Sequence, residues 1–462
     1  LGTALACARD GHEVTILERD DTPMPADAHA AFAWTRTGAP QVRHSHAFLA
    51  RLRNVLRDRA PDVLDALLAA GAAEMRFADN LPPTLSDHFS RPGDEDLVAI
   101  ACRRTTFEWV LRRVVLAQGG VELRHAVAAH ALDARPGAVP RVTGVDGIDA
   151  DLVVDARGPR SSSDDWFAAI GARPVVEELH ESGIVYFSRF YRTTGEIDTA
   201  YAGPVAADLG YMKYAVFLGD NDTFSITFAV EHDDEFLRKQ LLHADPFETV
   251  ARSISALAPW RLDGVSEPIT DVHVMAGLRN RSRPLVDESG PLVHGFVAVG
   301  DAAVCTNPLY GRGCSLAFVH AFGLADALRE HGSDADALAR GFAEFTREEL
   351  YPWFRSAAFQ DAQARAANEG RGTDEPIAPD DPREFMQSVL RDGLLPATRT
   401  SPIVFRAFVR WFNLLVTPEA LFSDPAVVGD VMNAYNDRAN HPPLPVLGPD
   451  RDEMLSLLQP SA

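Results

Sequence analysis

The chain has 462 residues and a formal net charge of −22, from 44 Lys and Arg against 66 Asp and Glu. That length exceeds what one core usually fills, so two domains or more are expected, and the charge argues against nucleic acid and anionic membrane as partners. The four cysteines, Cys7, Cys102, Cys305 and Cys314, stand singly. Without CxxC or metal-type spacing they exclude a disulfide scaffold and a paired redox-cysteine centre, and they suit a reducing, cytoplasmic setting. No run approaches the roughly 18 apolar residues of a transmembrane segment, and no signal peptide, repeat or low-complexity tract is visible.

In chain order, Leu1, Ala4, Leu5 and Ala8 share a helical face, Gly11-His12 turns, and Val14-Thr15-Ile16-Leu17 reads as a strand closed by Glu18. This is the second half of a dinucleotide-binding unit, whose first strand and glycine loop would precede Leu1. An acid in the place of Glu18 suits a ribose hydroxyl, though an exposed polar strand end reads equally well from these residues alone. After a loop over 20–46, helices are expected over 47–58 and 61–71. His44 and His46 lack a third or fourth ligand nearby, so no metal site is expected. Short strands lead into Val98–Cys102, and a helix starts at Arg104 with Phe107, Val110, Leu111 and Val114 on one face. Alternating strands over 121–150 precede an apolar strand over 151–155 that stops at Ala156-Arg157-Gly158.

Residues 176–275 change character. β-branched and aromatic runs over 183–191, 211–218 and 223–231 surround Gly219-Asp220-Asn221-Asp222, a hairpin signal. The expectation is an inserted antiparallel sheet with one face over a ligand pocket. Tyr186, Arg189, Tyr191, Tyr211 and Tyr214 are candidate liners, each equally readable as ordinary sheet packing.

The stretch from Gly295 to Ala317 is the most informative. An apolar strand ends on Gly300-Asp301, passes through Asn307-Pro308-Leu309-Tyr310-Gly311-Arg312-Gly313 and restarts as a helix from Cys314. Glycines at 311 and 313 let backbone N–H groups approach a ligand, and the helix turns its positive end to the same place. Asp301 is placed to accept from a ribityl or ribose hydroxyl; in a plain strand-to-helix connection it would be a turn residue. Helices are expected over 337–367. Further on, Phe405, Phe408, Trp411, Phe412, Leu414 and Leu415 form an apolar surface expected to pack on the nucleotide-binding part, with Pro379-Asp380-Asp381-Pro382 as a linker.

The full pattern from Gly300 to Gly313, G-D-A-x5-P-x2-G-x-G, resembles the second flavin-binding motif of the FAD-dependent monooxygenases related to p-hydroxybenzoate hydroxylase and squalene epoxidase. Its wording is closest to the epoxidase-like branch. The resemblance implies an α/β chain: a Rossmann-like FAD-binding domain over 1–175 and 276–335, an antiparallel substrate-binding sheet domain over 176–275, and a helical C-terminal region over 336–462. It implies FAD contacts from Glu18, Arg43, Arg104 (or its neighbour Arg103), Asp301, Pro308, Gly311 and Gly313, with catalytic residues unassigned. Arg157 stands where hydroxylases of this kind carry Asp, which puts direct NAD(P)H docking in question and leaves room for a separate flavin reductase. The activity implied is oxygen-dependent hydroxylation or epoxidation of a mostly apolar small molecule through a flavin C4a-hydroperoxide. Alternatives on the same fold are a prenyl-chain reductase resembling geranylgeranyl reductases, a halogenase and a non-catalytic flavin binder. The halogenase Trp-x-Trp-x-Ile-Pro segment is absent, and Tyr351-Pro352-Trp353-Phe354 does not match it.

Overall fold

In the computed structural model, all residues are described except 78–80, 83, 86–89, 162, 198–205, 369–384, 386–387, 441–446 and 460–462. The linker expected at Pro379–Pro382 lies outside the described residues. The fold is mixed α/β, and it contains two parallel strand pairs. Val14–Glu18 pairs with Val121–His125, and Val153–Asp155 with Phe296–Ala298. Phe296, Val297 and Ala298 are all buried, as a strand covered on both faces must be.

Helices pack against these pairs. Gly2–Arg9, Ala50–Arg59, Arg104–Leu116 and Gly313–His331 share one core in which Leu5, Leu52, Leu56 and Val115 are wholly buried. Between the helices, Ala73–Arg76 pairs antiparallel with Val98–Ala101, and a meander of Leu132–Arg135, Arg141–Val145 and Ile148–Asp149 follows. Its second turn uses Asp146 and Gly147, both at positive φ, the backbone a two-residue hairpin loop requires.

The central sheet has six strands. Ala206–Asp208, Met212–Leu218, Thr223–Glu231, Ile184–Thr193 and Ser266–Pro268 lie in that order, and His273–Met275 also pairs with Ile184–Thr193. The hairpin between Met212–Leu218 and Thr223–Glu231 turns at Asn221 and Asp222, with φ of +52° and +56°. On the outer face, Phe187, Tyr191, Phe228 and Ile226 pack against helices Glu235–Leu241, Ala244–Ser253 and Arg451–Leu458. The inner face carries Ile184, Tyr186, Ser188, Phe190, Ser225, Thr227 and Ala229, by the period-2 alternation of strands. Ile184, Tyr186 and Ala229 there meet Leu309 of the glycine loop.

The C-terminal helices close the back of the molecule. Trp411 and Leu414 reach the core around Phe354 and Leu316, while Phe412 is 37% exposed. Two polar ties fix this packing. Arg406 pairs with Asp94 at 2.9 Å, and Asn413 Oδ1 accepts from the Ala50 N–H that opens helix Ala50–Arg59. Satisfying an orphan amide of a helix start is a side-chain cap delivered from 363 residues away.

Candidate functional site

Strand Phe296–Ala298 delivers the chain to Gly300, whose φ of +56° starts a 3-10 turn at Gly300–Ala302. This turn points Asp301 at the start of helix Gly313–His331, where a Cβ on Gly313 would lie 3.8 Å from Asp301 Oδ1. Among the described residues, no hydrogen bond to the Asp301 carboxylate is formed. Burial pushes its pKa up to about 6, with Arg104 and Arg281 pulling the other way. Its lone pairs face a helix N-terminus, where negative charge is favoured.

The turn is held from behind by His320. The Gly300 N–H donates to His320 Nδ1 at 3.1 Å, and Nε2 lies 2.9 Å from Thr346 Oγ1. Thr346 itself donates to Phe342 O, so its oxygen accepts from the ring and the imidazole is the Nε2–H tautomer. Burial holds the His320 pKa down to about 3, and its ring stacks on Phe342 at 4.5 Å. A lone histidine inside an Ala/Leu-rich helix carries no local signal of this role.

Across the gap, the loop Pro308–Tyr310 is pinned by Asn307, which is fully buried. Asn307 Oδ1 accepts from Leu309 N–H at 3.1 Å and Tyr186 O–H at 2.7 Å, and its Nδ2 donates to Asp361 Oδ1 at 2.9 Å. Asn280 completes the ring, donating to Asp361 Oδ2 and accepting from Asn307 N–H, both at 2.7 Å. Gly311 follows at φ +65°, and a Cβ there would lie 2.5 Å from Ala47 Cβ. Only glycine lets the loop and the 43–48 segment approach so closely. Arg312 is buried over the rings of Tyr310 and Trp353.

At the end of Val14–Glu18 the acid is not alone. Arg36 donates at 2.8 Å to each of Glu18, Asp20 and Glu108. Arg112 stands 3.5 Å from Glu18 and 3.6 Å from Glu108, and Arg104 stands 3.3 Å from Glu108. Burial opposes the charge on Glu108, but Arg104, Arg36 and Arg112 overcome it and hold its pKa below the usual range. The structure also separates the two adjacent arginines. Arg103 turns to the sheet, bonding Asp220 of the hairpin tip through its backbone N–H and its guanidinium. Arg104 turns to Glu108 and lies within electrostatic reach of Asp301. Arg43 is exposed, on the His273 side of the segment.

The suggested pocket liners do not share a face. Tyr186 is on the inner face, bonded to Asn307. Arg189 and Tyr191 are on the outer face, where both bond Glu248 at 2.8 Å. Tyr211 and Tyr214 donate to the carbonyls of Pro449 and Leu447 on that same side. A strand that turns Tyr186 inward must turn residues three and five positions later outward. Asp155 is equally committed, closed by Arg157 at 2.9 Å, with that guanidinium 3.9 Å over the Trp166 ring.

Several buried polar atoms along these two edges lack partners: Arg112 Nε and Nη1, Thr105 Oγ1, Thr306 Oγ1 and Ser315 Oγ. With the unbonded Asp301 and the side-chain-free approach at Gly311, this donor and acceptor set suits a ligand rich in hydroxyl and phosphate oxygens. Among the described residues there is no cluster of His, Cys, Asp and Glu that would hold a metal ion, and no helix is long and apolar enough to cross a membrane.

No family model matches the chain. It is 28% identical over 445 residues to Protein Rv3254 of Mycobacterium tuberculosis (strain ATCC 25618 / H37Rv), covering 90% of this chain and 86% of that one. Among solved structures it is similar to PqsL, a probable FAD-dependent monooxygenase from Pseudomonas aeruginosa, at 16% identity and a TM-score of 0.52, over 80% of this chain and 94% of that one. The flavin-dependent brominase Bmp2 superposes with a TM-score of 0.53 at 13% identity, over 95% and 96%. For 2-methyl-3-hydroxypyridine-5-carboxylic acid oxygenase the TM-score is 0.52 at 15% identity, over 82% and 91%. The chain therefore has the fold of the FAD-dependent monooxygenases and the flavin-dependent halogenases.

Proposed function

We propose that the chain is an FAD-dependent monooxygenase that hydroxylates or epoxidises a small, mostly apolar organic molecule with O2. The observation that carries the reading is Asp301, a half-buried, unbonded carboxyl aimed at the start of helix Gly313–His331 beside a loop whose glycine admits no Cβ. In this fold such a place suits a ribityl hydroxyl, with Gly311, Gly313 and Pro308 beside the ring system. Glu18 would accept from the adenosine ribose, with Arg36 fixing its carboxylate, and Arg104 would stand near the isoalloxazine. Arg43, at the outer end of its segment, would approach the pyrophosphate or the ring edge.

FAD, when bound, supplies the redox and oxygen-activating chemistry. The chain's own groups bind, orient and exclude water. Asn307 and Asp361 set the loop, His320 sets the Asp301 turn, and the inner sheet face covers the substrate. Arg157 is closed on Asp155 and lies over the Trp166 ring, so the acid at this strand end is already paired. This supports delivery of electrons from NAD(P)H through a separate flavin reductase. The test is to load the protein with FAD, record its spectrum, and follow O2 consumption and product formation on a substrate panel with reduced flavin. Absence of flavin bands after FAD addition would refute the reading. Conversion without O2 consumption would replace it with a prenyl-chain reductase.

A further inference from the structure

Between the 43–48 segment, the first turn of helix Arg104–Leu116 and the inner sheet face lies a cavity of about 10 Å³. That is close to the smallest space that holds one water molecule, or one oxygen of a larger molecule. His44, His46, Arg104 and Ser225 form its polar wall, and Phe190 and Phe217 its apolar side. His44 is only 7% exposed, and its Nδ1 has no hydrogen-bond partner. Among the described residues neither ring nitrogen of His44 forms a hydrogen bond, and a buried polar nitrogen left unpaired costs about 1–3 kcal/mol, so a ligand oxygen beside this ring meets a side chain with hydrogen-bonding capacity to spare.

The charge of that wall is already balanced. Arg103 is neutralised by Asp220 at 2.6 Å and Arg104 faces Glu108 at 3.3 Å. Burial, followed by the neighbouring His273, holds the His44 pKa down to about 4, and burial together with Arg104 holds that of His46 at about 3. Both imidazoles are thus neutral at physiological pH. A neutral imidazole accepts from a hydroxyl or donates to a carbonyl, according to tautomer. A carboxylate entering here would find both lining arginines already facing an acid, and would bear much of its desolvation cost uncompensated.

The segment that carries His44 is also fixed on the sheet. Ser45 Oγ lies 2.7 Å from both Ser225 Oγ and Thr227 Oγ1, and Thr227 Oγ1 lies 2.9 Å from Ser188 Oγ. Four hydroxyls in line, across two strands and the segment, hold His44 over the inner face.

Resting on the monooxygenase reading, we infer that this cavity is the subsite for one neutral oxygen of the substrate, a hydroxyl or a carbonyl, with His44 as its specificity-determining partner. The substrate is then an apolar body with one uncharged oxygen at the end that enters here. The test uses four ligands with one ring: cyclohexanol, cyclohexanone, cyclohexanecarboxylate and methylcyclohexane. Each is titrated by calorimetry into the protein with and without FAD, with the flavin spectrum recorded on the same samples.

Cyclohexanol or cyclohexanone is expected to bind about tenfold tighter than the other two. His44→Leu should abolish that preference, and His44→Gln should restore part of it. Ser225→Ala, a milder change on the opposite wall, should weaken the preferred ligand if His44→Leu does not fold. Equal or tighter binding of the carboxylate, an unchanged preference in a folded His44→Leu protein, or no binding of any probe would overturn the proposal. A failure of the flavin reading shows separately, as missing flavin bands in those same samples.

Discussion

Replacing His320 with phenylalanine isolates what a single imidazole does for the Asp301 turn. The ring stack on Phe342 would survive, but the acceptor for Gly300 N–H at 3.1 Å and the partner of Thr346 at 2.9 Å would be lost. A buried amide left unpaired costs about 1–3 kcal/mol and the second bond about 1 kcal/mol, so a loss of about 2–4 kcal/mol is expected. The pH dependence sharpens the test. Folding lowers the His320 pKa from 6.5 to about 3, so between these values the unfolded chain binds more protons. The histidine's contribution is therefore complete above pH 6.5 and is lost as the pH falls toward 3. Urea melts of both proteins across this range should show a gap that is widest near neutrality and narrows in acid. FAD affinity should fall with it, because the turn that presents Asp301 loses its brace. Equal stability at neutral pH, or a gap independent of pH, would refute the assignment of His320 as a neutral acceptor.

Three further outcomes follow from the site. Asn307→Leu leaves Tyr186 O–H, Leu309 N–H and one Asp361 oxygen unpaired, and should cost about 3–5 kcal/mol in denaturant melts, with weaker FAD retention. In FAD-free protein, Asp301→Asn should be the more stable form above pH 6. The raised pKa of Asp301 means its stabilising protonated state is complete below 3.8 and lost as pH rises through about 6, worth about 1–3 kcal/mol. The same variant should bind FAD more weakly, measured by fluorescence titration. Gly311→Ala combines a positive φ with a Cβ 2.5 Å from Ala47, so a loss of about 2–4 kcal/mol is expected by thermal melting, together with impaired FAD loading.

What the sequence made legible is what neighbouring residues decide. The strand into Gly300-Asp301, the glycine loop and the hairpin at 219–222 are short-range patterns, and each formed where the pattern lies. The helix boundaries moved by a few residues, as at Ala50–Arg59, because its start is capped by Asn413, far along the chain. The second layer of the site was hidden for the same reason. Arg36 reaches Glu108 across 72 positions and Asn280 reaches Asp361 across 81, with no periodicity to announce either. The sheet is a different case. Offsets of three and five residues from Tyr186 to Arg189 and Tyr191 already forbid one shared face, so strand alternation alone removes two of the five suggested liners. It points instead to Ser188 and Phe190, and on the neighbouring strand to Ser225 and Thr227.

The two parallel pairs also set an order for making the protein. Val14–Glu18 waits for Val121–His125, and Val153–Asp155 waits for Phe296–Ala298. In contrast, every strand of the six-stranded sheet lies between Ile184 and Met275, and its tightest connection is a hairpin. Chain entropy favours the closures with short loops first. The strands of the sheet layer can therefore pair before Phe296–Ala298 joins Val153–Asp155, while helix Arg451–Leu458 completes the cover of its outer face only at the end of the chain. Its inner face, with Ile184, Tyr186 and Ala229, is then the surface on which Leu309 of the glycine loop settles.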